Sequence, residues 1–301
     1  MKKPFTKPPS TIGEQITLLE SRGIMVDDKE TAAHALHYIG YYRLSGYTHY
    51  YKQDENSYLP DTNWHQVVQH YKFDRELKRL LFEGIEQIEI ALRSIMTTFM
   101  TNYYGAFWYQ EKNSFITHIN TKPFNVVEFI EKAIKETTVD RKNKDIFLKH
   151  YYETYSFPTL PPSWIMMETI PMGTVSKILS FLTFENRKAI ALFFNVQERA
   201  FVSWIRALTH LRNLCAHHAR VWNRTFMIRL LPDTHYAVCR TPEFYEGKLF
   251  PYLGIIDILL KTIDPENRWI APIKNLLNRF DHPYAVDMGF SKNWEIDIFN
   301  L

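Results

Sequence analysis

The sequence has few of the residues that mark disulfide-rich or turn-rich proteins. Its 301 residues include 2 cysteines, 10 glycines and 15 prolines. Neither Cys215 nor Cys239 has a Cys-x-x-Cys partner, so the cysteines form no zinc pattern and fit a reducing compartment. So few glycines and prolines argue against the tight turns of an all-β sandwich. The sequence therefore predicts a largely helical protein.

Long hydrophobic runs and a strong charge imbalance are also missing. No stretch of about 18 apolar residues occurs, so we expect no membrane-spanning helix. Residues 1–15 are interrupted by prolines and contain no apolar segment long enough for an export signal. The net charge of +3 is mild, so any contact with RNA has to come from a local patch. We expect a cytoplasmic protein.

What the sequence does contain is apolar residues at helical spacing, every three or four positions. The longest such pattern starts at Asp74 and contains Leu77, Leu80, Leu81, Ile85, Ile88, Leu92, Ile95, Met96 and Phe99. A second helix is predicted over 197–219, where the apolar stripe is Phe201, Trp204, Ile205, Leu208 and Leu211. Other helices are predicted near 11–22, 29–39, 124–136, 143–155, 174–183, 252–263 and 267–280.

Some segments do not show a helical period. The aromatic segment 40–51, GYYRLSGYTHYY, contains two glycines and is interpreted as a packed connector. The irregular region after Arg220 predicts a short strand around 226–231. Trp164, Met166 and Met167 are interpreted as core residues. Because no repeat or linker is evident, residues 1–301 are expected to form one compact unit.

The densest polar cluster follows the apolar stripe of the 197–219 helix, in the run RNLCAHHARVWNR that starts at Arg212. On a helix, Asn213 and His217 lie only about 40° apart, whereas Arg212 and His217 differ by about 140°. The spacing R-N-x-x-x-H is expected by chance roughly 0.03 times in a chain of this composition. The motif is therefore moderately specific.

This motif resembles the active-site signature of HEPN ribonucleases, and the run RNLCAHHARVWNR is similar to the Abi-like family of abortive-infection proteins. Other similar segments are KPPSTIGEQITLLESRGIMVDD, HYIGYYRLSGY, IEQIEIALRS, LPPSWIMMETIPMGTVSKI and GFSKNWE. The resemblance implies a mostly α, HEPN-type helical bundle with additional N- and C-terminal helices and, at most, a short β element. The expected regions are a helical and aromatic connector region (1–60), a HEPN-like core (61–224) and a C-terminal helical region with a tail (225–301).

The resemblance also implies an activity: metal-independent cleavage of RNA by a toxin that stops host growth during phage infection. His217 can act as general base on a ribose 2′-hydroxyl or as general acid on the departing 5′-oxygen. Arg212 can bind the phosphate, and Asn213 can orient His217 or donate to the phosphate. The resemblance implies neither a cofactor nor a metal, and it implies a homodimer and an accompanying small non-coding RNA that inhibits the toxin.

One histidine cannot easily supply both the base and the acid. A symmetric dimer would bring a second His217, and His218 is the alternative within one chain. Arg220 is a further candidate for a supporting role. Glu89 and Arg93 are four residues apart in the acid-first order, so they are interpreted first as a structural ion pair and second as residues that position the motif.

A further basic run is interleaved with aromatic residues, where cations could contact phosphates and rings could stack on bases. Its basic residues are Arg141, Lys142, Lys144 and Lys149, followed by His150. A solvated face of a helix is the preferred interpretation, and weak RNA binding is the alternative. Cys215 is interpreted as a small core residue, since its spacing from the neighbouring histidines does not fit zinc.

Two other functional classes compete with the ribonuclease. The first is a catalytically silent HEPN-type protein that binds RNA or acts as a scaffold. The intact Arg-Asn-His set favours the enzyme, because a binding module does not need that chemistry. The second, a DNA-binding regulator, has little support, since no recognition-helix pattern or strongly basic face is evident.

Overall fold

The computed structural model describes residues 4, 6, 8–119, 122–141, 145–280 and 284–291. Most of these residues lie in thirteen α-helices: α1 (Ile12–Ser21), α2 (Lys29–Tyr38), α3 (Tyr41–Thr48), α4 (Trp64–Tyr104), α5 (Val126–Arg141), α6 (Ile146–Thr154), α7 (Ser163–Thr169), α8 (Met172–Phe181), α9 (Phe184–Leu192), α10 (Glu198–Ala216), α11 (Phe250–Ile263), α12 (Ile270–Arg279) and α13 (Tyr284–Asp287). The short strands β1 (His118–Ile119) and β2 (Lys122–Pro123) pair antiparallel. The prediction of a mostly α fold is confirmed.

Residue contacts divide the chain into two compact units, Met1–Lys78 and Arg79–Leu301, with the boundary inside α4. In the described part of the chain, no helix is both long and apolar enough to cross a bilayer.

The first unit begins with a capped helix. The backbone N–H of Glu14 donates to Thr11 Oγ1 at 3.3 Å, and the backbone N–H of Thr11 donates to Glu14 Oε2 at 2.7 Å. These bonds satisfy two backbone donors that the start of α1 would otherwise leave open. The cap explains why a helix begins here, as the sequence predicted.

The first unit also buries a charged cluster. The Asp74 carboxylate, which is fully buried, accepts from Tyr47 Oη at 2.6 Å and pairs with Lys78 Nζ at 2.9 Å. Tyr51 Oη and His70 Nε2 lie 2.5 Å apart in the same unit. The aromatic segment therefore supplies hydroxyl groups that hydrogen-bond to polar side chains buried on α4.

The interpretation of residues 40–51 as a connector is wrong, because Tyr41–Thr48 form α3. Gly40 has a φ of 92°, so it makes the turn before α3 and does not interrupt the helix. Leu44, Tyr47 and Thr48 are spaced three and one apart and share the buried face. The two glycines favoured the prediction of a connector over that of a short helix.

The second unit is built around α10 and α11. The predicted stripe on α10 is fully buried, and α10 packs against α8 and α9. In α11, every residue from Phe250 to Leu260 is buried. Gly84 of α4 allows a close approach, since an added Cβ would lie 2.7 Å from the ring of Trp269. The Trp269 indole donates to the Leu80 carbonyl at 2.7 Å, which fixes that ring against α4.

The strand expected around 226–231 is not formed. Side chains of α10 and α11 satisfy the backbone of this segment instead of a partner strand. Leu231 N donates to Ser203 Oγ at 3.0 Å, and its carbonyl accepts from Trp204 Nε1 at 2.8 Å. The Ile228 carbonyl accepts from Tyr252 Oη at 3.1 Å. The segment is therefore a loop bound to two helices.

Three further sequence predictions differ from the structure. The helix that carries the long apolar pattern starts at Trp64, earlier than Asp74, because Val67, His70 and Phe73 extend its buried face. Helices α7 and α9 were not predicted, and both are shorter than three turns. Met166 and Met167 are core residues as predicted, but Trp164 is wrong, since 49% of it is exposed.

Candidate functional site

The R-N-x-x-x-H motif occupies the last turn of α10 and the turn that ends it. Arg212 and Asn213 are helical, and His217 is the C-cap with φ −87° and ψ 11°. His218 N donates to the Cys215 carbonyl at 3.0 Å, and Ala219 N donates to the Leu214 carbonyl at 2.9 Å. This pair of bonds is a Schellman motif, which closes the end of a helix.

The motif fixes where the two histidines point. His218 occupies the left-handed position of the turn, with a φ of 56°. Glycine is the usual residue there, because a side chain in this conformation costs roughly 1–2 kcal/mol. Both histidines are exposed. The end of α10 therefore presents two neighbouring imidazoles to the solvent from a fixed backbone.

Asn213 lies on the same side of α10 as His217, as helical spacing predicts. It is half-buried, and its carbonyl accepts from the His217 N–H at 2.9 Å. Arg212 is directed to α4 instead. No hydrogen bond joins Arg212 to His217 in the described structure, which agrees with the wide angle predicted between them.

The Arg212 guanidinium is held by an acidic and an aromatic residue of α4. Its Nε lies 3.5 Å from Glu89 Oε2, and its Cζ lies 5.3 Å from the centroid of the Phe82 ring. The Nε atom is buried and has no hydrogen-bond partner in the described structure, so the contact with Glu89 is electrostatic and not a formed hydrogen bond. About a third of the Arg212 side chain is exposed.

Glu89 is shared between two arginines. Arg93 Nε donates to Glu89 Oε1 at 3.2 Å, and Arg93 Nη2 pairs with the same oxygen. The side chains of Arg93 and Glu89 are only 9% and 13% exposed. The predicted ion pair is present, and it is a buried pair, which differs from the surface pairs that stabilise isolated helices only weakly.

Arg93 ties this pair to α7. Its Nη1 donates to the Ile170 carbonyl at 3.0 Å and also to the Met167 carbonyl. The carbonyls at the end of a helix carry a partial negative charge and have no partner within the helix. Positive and negative groups therefore alternate along a chain of contacts that connects α10 to α4 and α7. The chain runs from Arg212 to Glu89, then to Arg93 and to the α7 carbonyls.

After the turn at His218, the chain runs back along α10. Arg224 Nη1 donates to the Arg220 carbonyl at 3.3 Å, and Arg224 is close enough to His210 to influence its titration. Burial lowers the pKa of His210, and the neighbouring Arg224 lowers it further. Arg220 and Arg224 thus add positive charge beside the histidine-bearing helix.

Sequence reasoning missed His210. It precedes His217 by seven residues, so the two lie only about 20° apart on an ideal helix and roughly 10 Å apart along its axis. It is half-buried. The signal was a third histidine on the same helical stripe as Asn213 and His217.

The other predicted residues are less informative. Lys149 is exposed and lies 3.8 Å from Glu153 within α6, as on a solvated helix face. The Arg141 side chain, Lys142 and Lys144 lie outside the described residues. Cys215 is buried, as predicted. Burial raises the pKa of the Cys239 thiol to about 11, so Cys239 is a poor nucleophile.

The described residues contain no group of three or more His, Cys, Asp or Glu side chains that could hold a metal ion.

Comparison with known proteins places the motif within a family. No curated protein and no solved structure matches the chain. The profile of the family described as Abi-like protein matches residues 34–223, which include α4, α10 and the whole R-N-x-x-x-H motif. Because this match covers well over half of the sequence, the chain belongs to the Abi-like protein family.

Proposed function

We propose that this protein is a metal-independent endoribonuclease of the HEPN type that acts as a cytoplasmic toxin in abortive infection. Membership of the Abi-like family indicates a role in abortive infection. The observation that carries the enzymatic part is the arrangement at the end of α10, where exposed imidazoles lie on a fixed turn that follows, five residues along the chain, an arginine held by Glu89.

The proposed reaction begins with the ribose 2′-hydroxyl. His217 takes its proton, the 2′-oxygen attacks the adjacent phosphorus, and the bond from phosphorus to the 5′-oxygen breaks. A second imidazole gives a proton to the leaving 5′-oxygen. The products are a 2′,3′-cyclic phosphate and a 5′-hydroxyl, so no proton or electron is left over. No metal is needed for either proton transfer.

The positive groups have separate roles in this proposal. The Arg212 guanidinium stabilises the negative charge that develops on the phosphate oxygens, and the Asn213 amide orients His217 or donates to the phosphate. Arg220 and Arg224 attract the RNA backbone along α10. Glu89 and Arg93 do not touch the RNA but hold Arg212 in position.

The second imidazole comes from a partner chain in our proposal. Base and acid have to lie on opposite sides of the phosphate for in-line attack, whereas His217 and His218 are adjacent on one turn. A two-fold homodimer would bring two copies of the motif together, since the same surface patch serves both subunits. Ile90, next to Glu89 on α4, is 60% exposed and is an apolar residue available for such an interface.

The enzymatic proposal is tested with purified protein and labelled RNA in the presence of EDTA. Wild type should cleave and leave 2′,3′-cyclic phosphate ends, whereas His217→Ala and Arg212→Ala should not. His65→Ala, which removes another exposed histidine on α4, should cleave like wild type. RNA binding without cleavage by the wild type would favour the silent binding module. Strict Mg²⁺ dependence with 5′-phosphate products would contradict the mechanism.

The dimer is tested by subunit mixing. His217→Ala chains in excess should lower the activity of wild-type chains below simple dilution, because most wild-type chains would then sit in composite sites that lack one imidazole. A verified monomer with full activity would contradict the composite site and make His218 the leading second imidazole.

The partners follow from the same proposal. RNA is the substrate, and a small non-coding RNA is proposed as the inhibitor. Co-purification from cells that express the His217→Ala protein, followed by sequencing of the bound RNA, would test that partner. The exposed Lys149 remains a proposed weak RNA contact.

A further inference from the structure

The segment that carries the motif has an unusual charge composition. Residues 199–232 contain six arginines and three histidines but no lysine, aspartate or glutamate. With 33 acidic residues in the 301-residue chain, about four would be expected in a segment of this length. The six arginines are Arg199, Arg206, Arg212, Arg220, Arg224 and Arg229. The chain as a whole has a net charge of only +3, so positive charge is concentrated here.

One face of α10 collects part of this charge. Its positions recur in steps of four and three residues and end at the C-cap: Arg199, Ser203, Arg206, His210, Asn213 and His217. At about 100° per residue they fall within a stripe about 80° wide, on the side of α10 opposite its buried apolar stripe. None of the six is buried, and Arg199 and Arg206 are exposed. From Arg199 to His217 the stripe is about 27 Å long.

The chain that runs back from the turn places more arginines beside this face. Ser203 Oγ donates to the Arg229 carbonyl at 3.2 Å, so Arg229 lies beside the first half of α10. Arg224 lies near His210, in the second half. Arg229 is exposed and Arg224 is half-buried. Together with Arg199 and Arg206 they form one surface, the basic track, which the sequence did not reveal because its two rows meet only through the return of the chain.

The acidic residues that flank the segment have other partners. Glu198 pairs with Arg187 of α9, and its side chain is only 8% exposed. Asp233 is fully buried and accepts from the Gln197 N–H at 2.8 Å. Among the residues that the structure describes, no ion pair joins the three exposed arginines of the track to a carboxylate. Their guanidinium groups are therefore available to an external anion.

We propose that the basic track binds the backbone of single-stranded RNA and leads the strand to His217, where RNA as the ligand rests on the proposed function. The planar fork of arginine matches two phosphate oxygens, and arginines at successive levels can contact successive phosphates. At roughly 6 Å per nucleotide of an extended strand, the track accommodates about four or five nucleotides, near the lower end of single-strand sites.

A single strand fits this surface better than a duplex does. The arginines lie in rows along one helix, so they can follow one backbone, whereas the two backbones of a duplex wind away from a straight row. In-line attack also needs the 2′-oxygen, the phosphorus and the 5′-oxygen in a line, and an A-form duplex holds them out of line. The nucleotide that reaches His217 therefore has to be unpaired.

Fluorescence anisotropy with labelled oligouridylates measures the binding. The protein is full-length His217→Ala in EDTA, so the strand stays intact whether or not the wild type cleaves it. Affinity should rise about tenfold from a length of about two nucleotides to about six and little further beyond that length. A twelve-base-pair RNA duplex should bind several-fold more weakly than a single strand of twelve nucleotides.

Arg206→Ala and Arg229→Ala should each weaken binding of the six-nucleotide strand several-fold. Each should also reduce the slope of log affinity against log salt concentration by about 0.7, the value for one lost phosphate contact in a single strand. Arg206→Lys keeps the charge, so it should keep the slope and restore part of the affinity. Arg75→Ala, which removes an exposed arginine of α4, is the matched control and should change neither quantity.

Substrate length separates this proposal from the ribonuclease proposal. With His217 intact, both track variants should raise the KM for a long RNA and leave cleavage of a dinucleotide unchanged, because a dinucleotide does not reach the track. Track-dependent binding without cleavage by the wild type would refute the ribonuclease alone. Cleavage of long RNA with an unchanged KM in both variants would refute the track alone.

Other results would also overturn the track. One is no RNA binding by His217→Ala, and another is an effect of Arg75→Ala as large as that of Arg206→Ala. Equal affinity for duplex and single strand would contradict the preference that the rows of arginines predict. Binding of poly-glutamate as tightly as RNA would identify an acidic protein surface, and not RNA, as the ligand.

Discussion

Glu89 contacts both Arg212 and Arg93, so we expect its substitution to disturb the contacts of both arginines. In Glu89→Gln the shape of the side chain is kept and its charge is removed. Arg93, which is 9% exposed, would then lose its carboxylate partner, and Arg212 would lose its nearest anion. Two guanidinium groups would face each other across a neutral amide.

The magnitude follows from the burial of the pair. Removing one partner of a buried ion pair costs about 3–5 kcal/mol. The lower end applies here, because the glutamine oxygen still accepts from Arg93 and the Ile170 carbonyl still accepts from Arg93 Nη1. In domains of about 150–250 residues, 1 kcal/mol corresponds to about 2–4 °C, so about 3 kcal/mol lowers the melting temperature by about 6–12 °C.

The assay is urea unfolding and thermal melting of Glu89→Gln beside Glu83→Gln. Glu83 is also on α4, but its pair with Arg79 spans 3.9 Å, and both side chains are more than half exposed. Its loss should cost less than about 0.5 kcal/mol. RNA cleavage by Glu89→Gln, measured well below its melting temperature, should also fall because Arg212 is no longer held. Equal stability of the two variants would refute the reasoning.

Three further predictions concern packing, the turn and pH. Gly84→Ala should destabilise the protein by about 1–3 kcal/mol in urea unfolding because the new Cβ meets Trp269, whereas Gly173→Ala, with open space around it, should not; equal effects would contradict this contact. His218→Gly should stabilise the protein by about 1 kcal/mol and raise its melting temperature, because glycine relieves the strain at a φ of 56°. His218→Ala keeps a Cβ and should not raise it. The pKa of His210 is lower in the native protein than in the unfolded chain, so the unfolded chain binds more protons as the pH falls. The stability that neutral His210 contributes is complete above about pH 6.5 and is lost as the pH falls through the lowered pKa. His210→Gln should therefore reduce the loss of stability between pH 8 and pH 5 in urea titrations, and an unchanged slope would count against it.

Periodicity predicted the parts of the fold that depend on local sequence. The stripes on α4 and α10 are long enough for the helical period to stand out. The α10 stripe is buried, and so is the α4 stripe except for the half-buried Ile95 and Phe99. Short helices gave a weaker signal: α7 has seven residues and α9 has nine, and in α9 the apolar Phe184 and Leu192 are exposed. In α3, glycine and tyrosine content hid a buried face of only three residues.

Contacts between residues far apart in the chain could not be predicted from the sequence. The spacing of Glu89 and Arg93 predicted their pair, but nothing in it indicated that Arg212 would contact the same carboxylate. Residues 226–231 form a loop and not a strand because Ser203 and Tyr252, on other helices, hydrogen-bond to their backbone. Such partners depend on how the helices pack, and packing is not encoded in any local pattern.

The positions of Arg212 and His217 determine how their variants should be interpreted. Arg212 contacts Glu89 and Phe82, so Arg212→Ala removes packing and a charge together. Glu89 still keeps Arg93, and the loss of stability should therefore stay below that of Glu89→Gln. His217 is exposed, and among the described residues its bond in the turn comes from the backbone, so His217→Ala should change stability by less than about 0.5 kcal/mol. If both variants lose cleavage and only Arg212→Ala loses stability, the activity of His217 is chemical. If His217→Ala unfolds as readily as Glu89→Gln, its loss of activity would have a structural cause, and the assignment of His217 as acid and base would lose its main support.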